Sequence, residues 1–301
     1  MTPNKLQFSG HESFVCKHLW LKKGFDYLNK KEKEKGDPEE SVVELGVGKN
    51  MVNAIFFWMK AFGLLEQNNK PNELAKKLFF SKEGDKYLES LGSIWLLHYM
   101  LVSTNKASIY NIFFNQFRKG RVDFTKEQFL TYVKRLLDAE KLKGFNANTV
   151  AADISVFIRS YLKPQYKETK IDIEEDYSSL LIDLELMTSY KAESGEGKLV
   201  DWYHLENKMQ VDLPFEIVLY SIIDNHDKKL YGRSVSFKEL LTGYNSPGAI
   251  FALNEEGLLN KIEQIISKYR SITFSESAGV RELQIKRSID KNDVLNGYYK
   301  G

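Results

Sequence analysis

From Trp20 onward, apolar residues recur at spacings of three and four between short polar breaks, and this pattern predicts a mainly helical protein. It is clearest over Val52, Ile55, Phe56, Met59 and Phe62, which bury one face of a helix beginning near Lys49, with Lys49, Asn50, Asn53 and Lys60 on the opposite stripe. A shorter helix precedes it, capped by Asp37 with Pro38 in its first turn and carrying Val42, Val43 and Leu45; Gly46 and Gly48 then permit a tight turn. The segment therefore reads as a helix-turn-helix. Gly63 stops the second helix, Gln67–Asn72 forms a polar tip suited to a wing hairpin, residues 74–80 read as a strand-like edge, and Ser81 caps a further helix start.

The remaining periodicity completes the outline. Trp20 to Lys35 is helical. Ser93–Ser103 and Ser108–Phe117 are apolar nearly all round, as in helices lining an interior. Thr125 opens a helix with Phe129, Val133, Leu136 and Leu137 on one face, and Asn148-Thr149 caps another that buries Val150, Ile154, Phe157, Ile158 and Tyr161 and exposes Asp153. Gln165–Asp176 is the linker candidate, and Leu180–Tyr190 reads as a short strand or helix. Further on, Pro214 starts a helix through Ile223, Ser236 and Glu239 form a capping-box-like start, Ser246-Pro247 opens a long helix through Ile266, and Ser271–Phe274 and Val280–Ile285 are strands. The predicted fold is mainly α with small β wings: a winged-helix domain over 1–92, a helical middle domain over 93–164, and a winged-helix-like α+β domain over 177–301.

Composition narrows the class. A 301-residue chain with 43% hydrophobic residues can bury substantial cores. No apolar run approaches the ~20 residues of a membrane span, so no membrane association and a cytoplasmic location are expected. The single cysteine, Cys16, excludes an internal disulfide and a multi-cysteine zinc site. The net charge of +2 conceals an asymmetry: residues 1–150 carry 24 Lys and Arg against 17 Asp and Glu, and the remainder 19 against 24. The basic half contains the helix-turn-helix, which suits a DNA-facing surface because neutralising phosphates supplies most non-specific affinity. Lys49, Asn50, Asn53 and Lys60, with Lys22, Lys23 and Lys70 beside them, are the candidate DNA contacts: lysine meets phosphate or guanine and asparagine pairs with adenine. The other reading of the same helices is a scaffold that never meets nucleic acid.

Chemistry concentrates in Phe8–Trp20. His11 can serve as general base, Glu12 as metal-binding carboxylate and Lys17 as a phosphate-stabilising cation in phosphodiester hydrolysis. The structural alternative has Ser9 capping a helix, Glu12 completing a capping box, and Phe8 and Phe14 packing as anchors. A zinc site from His11, Cys16 and His18 lacks a fourth ligand. The Gly46–Asn50 stretch is no phosphate loop, since Val43 stands where the first glycine belongs and Asn50 replaces the magnesium-binding hydroxyl.

Phe8–Phe14, followed by Cys16-Lys17 and Trp20–Gly24, resembles the SspB-like bacterial family of DNA phosphorothioation defence; so do Leu45–Val52, Ser246–Gly248 and Ser277–Arg281. The genes of that family lie beside sulfurtransferases resembling phosphoadenosine phosphosulfate reductase. The resemblance implies DNA nicking, or presentation of DNA to such a sulfurtransferase, without naming a nucleophile or metal ligand; the cofactor is left open, with Mg²⁺ or Mn²⁺ as the metals to supply in a nicking reaction. It implies DNA, the sulfurtransferase and other defence proteins as partners. The residues do not set the oligomeric state; a homodimer is one option, since winged-helix proteins often pair to read two half-sites. A non-enzymatic assembly subunit and a winged-helix transcription regulator are the alternatives.

Overall fold

Helix α3 (Lys49–Ala61) lies where the apolar spacing demands, and more of it is covered than a single stripe requires: Val52 and every residue from Ala54 to Met59 are buried. The computed structural model describes residues 6–30, 38–141, 146–164, 179–193, 197–226, 234–277 and 279–300. They form two compact units, one made of Met1–Glu89 with Met100–Glu206 and the other of Ser90–Tyr99 with Asn207–Gly301. Helix α5 (Leu91–Thr104) contributes residues to both. This grouping differs from the expected stretches 1–92, 93–164 and 177–301. The reason is shared packing: Trp58 of α3 meets Tyr110 edge to face at 6.1 Å, so the first helices and the middle helices have one core. The proposed linker 165–176 lies outside the described residues.

In the first unit, α1 (Trp20–Lys30) and α2 (Pro38–Leu45) pack on α3. Gly24 of α1 sits so close that a Cβ there would lie 2.3 Å from the Met59 sulfur. Past α3 the chain turns at Gly63 (φ +63°) and closes a short loop with Glu66 N–H donating to Lys70 O at 2.8 Å and a single bridge between Leu65 and Pro71. No strand pair forms among these residues, and the strand-like edge expected over 74–80 is instead helix α4 (Glu73–Phe79). Its Asn72 side chain accepts Ala75 N–H at 3.0 Å, and Ala75, Leu78 and Phe79 are buried at helical spacing. The helix expected after Ser81 is a series of turns.

The unit continues through α6 (Ser108–Ile112), extended by a π-helical turn over Phe113–Phe117, into β1 (Asp123–Thr125). Thr125 and Gln128 form a full capping box at the start of α7 (Lys126–Ala139), and α8 (Ala147–Tyr161) follows with Asn146 as its cap. Strands β2 (Met187–Glu193) and β3 (Leu199–Leu205) make an antiparallel hairpin, completing a sheet of order β1-β3-β2. Phe113 against Phe157, and Phe117 against Phe129, have ring centroids 4.5 Å apart and anchor an aromatic core. Each buried ring contributes about 1.5–3 kcal/mol of transfer free energy.

The second unit repeats this plan. Helix α9 (Phe215–His226) leads to β4 (Ser234–Ser236), then α10 (Phe237–Thr242), α11 (Pro247–Ile250) and α12 (Glu255–Lys268), then β5 (Ile272–Ser277) and β6 (Val280–Ile285), with sheet order β4-β6-β5. Helix α13 (Lys291–Tyr299) packs on α9. The long helix expected from Ser246 through Ile266 is broken: α11 ends at Ile250, Ala252 takes a left-handed φ of +49°, and Asn254 caps α12 by accepting Gly257 N–H at 2.8 Å. No described helix is long and apolar enough to cross a membrane.

Candidate functional site

The segment from Leu6 to Leu19 carries the concentrated chemistry, and it is not a helix. Ser9 (φ +65°), Gly10 (+100°), Glu12 (+50°) and Ser13 (+64°) all have left-handed backbone, so neither Ser9 nor Glu12 caps anything, contrary to the capping-box alternative. A Cβ on Gly10 would lie 2.6 Å from the Phe57 ring, so both conformation and space require glycine there. Such a cluster of unfavourable backbone persists only when surrounding contacts over-determine it.

Those contacts converge on α8. Asp153, expected on an exposed face, is buried: its carboxylate accepts Ser9 N–H at 2.9 and 3.2 Å and lies 3.0 Å from His11 Nε2. Ser13 N–H donates to His11 Nδ1 at 3.1 Å, which fixes the proton on Nε2, and Nε2–H donates to Asp153. Both ring nitrogens are thus engaged and the ring is buried, stacked on Trp58 at 6.1 Å and edge-on to Phe57 at 5.7 Å. His11 has no free nitrogen to act as the accessible base expected from sequence; it latches the turn to α8 and thereby aims Glu12 outward. Arg159 Nη2 on the same helix donates to Ser13 O at 2.7 Å, and Trp58 Nε1 donates to Phe14 O at 3.2 Å.

Exposed Glu12 lines a pocket of about 310 Å³ together with Asn53 and Lys60 of α3, over a floor that includes Phe56 and Phe57. Lys49, Asn53, Phe56 and Lys60 share one stripe of α3, spaced four, three and four. One carboxylate, one ammonium and three amides, Gln7, Asn53 and Asn69, therefore meet in a single concavity over an apolar floor, a layout suited to a polar ligand. The stripe is narrower than the sequence suggested: Lys49, Asn50 and Lys60 are exposed, whereas Asn53 is half-buried. The N-terminal segment covers the middle of α3, so this helix cannot lie full length in a major groove.

The other sequence-chosen residues scatter around this pocket. Lys22 forms an ion pair with Asp26 on α1, Lys23 is exposed one position on, and Lys70 is exposed at the loop after α3. Lys17 is half-buried and bridges to Ser179, away from the pocket lining. Cys16 is buried, and desolvation holds its thiol pKa well above the usual value, which keeps it a neutral, inert side chain. Among the described residues, no three His, Cys, Asp or Glu side chains are grouped so that they could hold a metal ion. Sequence reasoning missed Asp153, whose role depends on a partner 142 positions away.

Residues 8–299 match the sequence family described as Protein of unknown function (DUF4007). No curated protein matches the chain. Two solved structures share its fold at 24% sequence identity: one described as "SspB crystal structure", with a TM-score of 0.80, and one as "Magnesium ion-bound SspB crystal structure", with a TM-score of 0.81. Each alignment covers 98% of this chain and 88% of the other.

Proposed function

The chain belongs to the DUF4007 family, and we propose that it is a DNA-handling component of a phosphorothioation-type defence system, contacting DNA through the pocket face of α3. The observation that carries the reading is the meeting of Glu12, Asn53 and Lys60 in one concavity, with exposed Lys49 and Asn50 on the same helix. Likeness to the SspB structures over nearly the whole chain supports it. In this reading Lys49 and Lys60 take phosphates, Asn53 meets a base edge, and Glu12 is the carboxylate nearest the bound strand. In both units a short strand, then helices, then a hairpin resembles the order of winged-helix modules, and this supports nucleic-acid work elsewhere on the chain than at α3.

The magnesium-bound relative raises the question of a metal. Glu12 is the sole carboxylate among the pocket-lining residues, and the described residues form no three-ligand acidic or histidine group. The described residues do not make a ready-made cation site, and no step is derived through one. That same observation favours a second reading, a non-enzymatic subunit that presents DNA to a sulfurtransferase partner.

One measurement tests the DNA face and another separates the two readings. Lys49→Ala with Lys60→Ala is expected to weaken duplex binding and to lower the salt slope by about 0.9 per lost phosphate contact; an unchanged slope removes the α3 face from the DNA surface. Incubation with supercoiled plasmid and Mg²⁺ or Mn²⁺ yields open circles under the nicking reading and none under the presenting one. Glu12→Gln abolishes the circles if this carboxylate takes part.

A further inference from the structure

A second concavity in the first unit lies outside everything assigned so far. Helix α7 and strand β3 flank a groove of about 760 Å³. Strand β1 covers β3 only as far as the Thr125–Trp202 pair, so beyond that point the groove runs along the side of β3 that has no described strand partner. Arg121, Lys126 and Arg135 line it and are exposed, and none of the three is in an ion pair among the described residues. Arg121 rests over the Phe117 ring at 4.9 Å, and the Lys126 ammonium donates to Ser155 Oγ, so both are positioned while keeping their charge unspent. Two carboxylates, Glu127 and Asp201, share the lining, leaving the cations in excess.

Aromatic surface stands beside these cations. Tyr132 lines the groove one helical turn from both Gln128 and Arg135, and Trp202 lines it from β3. Trp202 stacks on half-exposed Tyr190 with ring planes 12° apart, and its indole N–H has no hydrogen-bond partner among the described residues. Unpaired cations interleaved with planar rings are what a single strand needs, since phosphates meet the former and unstacked bases the latter. A purely acidic peptide would use the charges and leave the rings idle. Duplex DNA hides its bases' faces and would do the same.

We propose that the groove between α7 and β3 holds single-stranded nucleic acid, with backbone phosphates on Arg121, Lys126 and Arg135 and bases against Tyr132 and Trp202. This extends the DNA reading to a second surface, and its failure can be told apart from failure at the α3 pocket. The experiment is anisotropy titration of the full chain with labelled oligothymidylate, a labelled duplex and polyglutamate as competitor, across a salt series. The double variant Arg121→Ala/Arg135→Ala is expected to lose about tenfold in oligothymidylate affinity and about 0.7 in salt slope per lost phosphate contact, with duplex binding little changed. Arg135→Lys keeps most of the affinity, and unchanged thermal melting shows that the variants fold. Oligothymidylate binding should quench tryptophan fluorescence, and Trp202→Phe should remove most of that signal. Unaltered single-strand affinity in the double variant overturns the proposal while leaving the α3 pocket standing. Displacement of the oligonucleotide by polyglutamate at equal charge also overturns it, as an unspecific anion surface. Absence of binding to both nucleic acids sinks this proposal and the pocket reading together.

Discussion

Both units run from a short strand through helices to a hairpin that closes a three-stranded sheet of the same order, and they use its surface differently. In the first, the sheet order β1-β3-β2 leaves Arg121, Lys126 and Arg135 outside any described ion pair beside a groove. In the second, with order β4-β6-β5, the cation Arg281 on β6 is spent internally: it bonds Glu255 Oε1 at 2.7 Å and lies over the Phe237 ring at 4.2 Å. Acids differ in the same sense. Asp153 in the first unit fastens the irregular N-terminal segment to α8, whereas Asp224 in the second receives Tyr99 Oη at 2.9 Å and the Lys291 ammonium within an ordinary helix packing. Shared topology thus fixes where side chains stand but not whether their charge is consumed by the fold or kept for a ligand.

The comparison can be broken most severely at the latch. Asp153→Ala leaves His11 and the Ser9 N–H without a buried partner and is expected to cost about 3–5 kcal/mol in urea unfolding of the first unit, against a clearly smaller loss for Asp224→Ala. Equal losses would erase the distinction. Gly10→Ala comes next, at about 1–3 kcal/mol, because the residue must hold φ +100° with its Cβ 2.6 Å from Phe57; an unaltered melting curve would show that the turn relaxes freely. A third test uses pH. Burial raises the Cys16 thiol pKa in the folded state, so the unfolded chain loses its thiol proton first as pH rises. Stability is fully present below the ordinary thiol value of about 8.5 and is expected to fall above it by up to about 1.4 kcal/mol per pH unit; Cys16→Ala should flatten that slope. The smallest effect belongs to Arg281→Ala, about 0–1 kcal/mol and no change in nucleic-acid affinity, set beside the affinity loss expected at Arg135.

Much of this fold was legible in the chain, and the exceptions have physical causes. Helices α3, α7, α8 and α9 announce themselves through apolar residues at helical spacing, and the caps at Thr125, Ser236 and Ser246 accept the backbone donors that their sequence positions imply. The hairpin of β2 and β3 was obscured because only Met187 and Leu205 are buried along it, so no strict alternation marks the strands. The wing expected after α3 was a turn-rich composition without strands to join. At the site, Glu12, Asn53 and Lys60 were each singled out by residue type, and the pocket brings them together. His11 was noticed for its chemistry and turned out to serve the shape of the turn, since Asp153 could be identified as its partner only in three dimensions.

The passage of α5 through both units has a consequence for synthesis. The first unit needs residues on either side of the second unit's opening stretch, so an emerging polypeptide cannot complete it until the strand ending at Leu205 has left the ribosome. Meanwhile the leading half of α5, with Ile94, Trp95, Leu96 and Leu97, must wait for the remainder of the chain before its greasy surface is covered. A protein wired this way has a long interval of vulnerability during translation, and chaperone dependence rather than final stability is where a weakened α5 would first be felt.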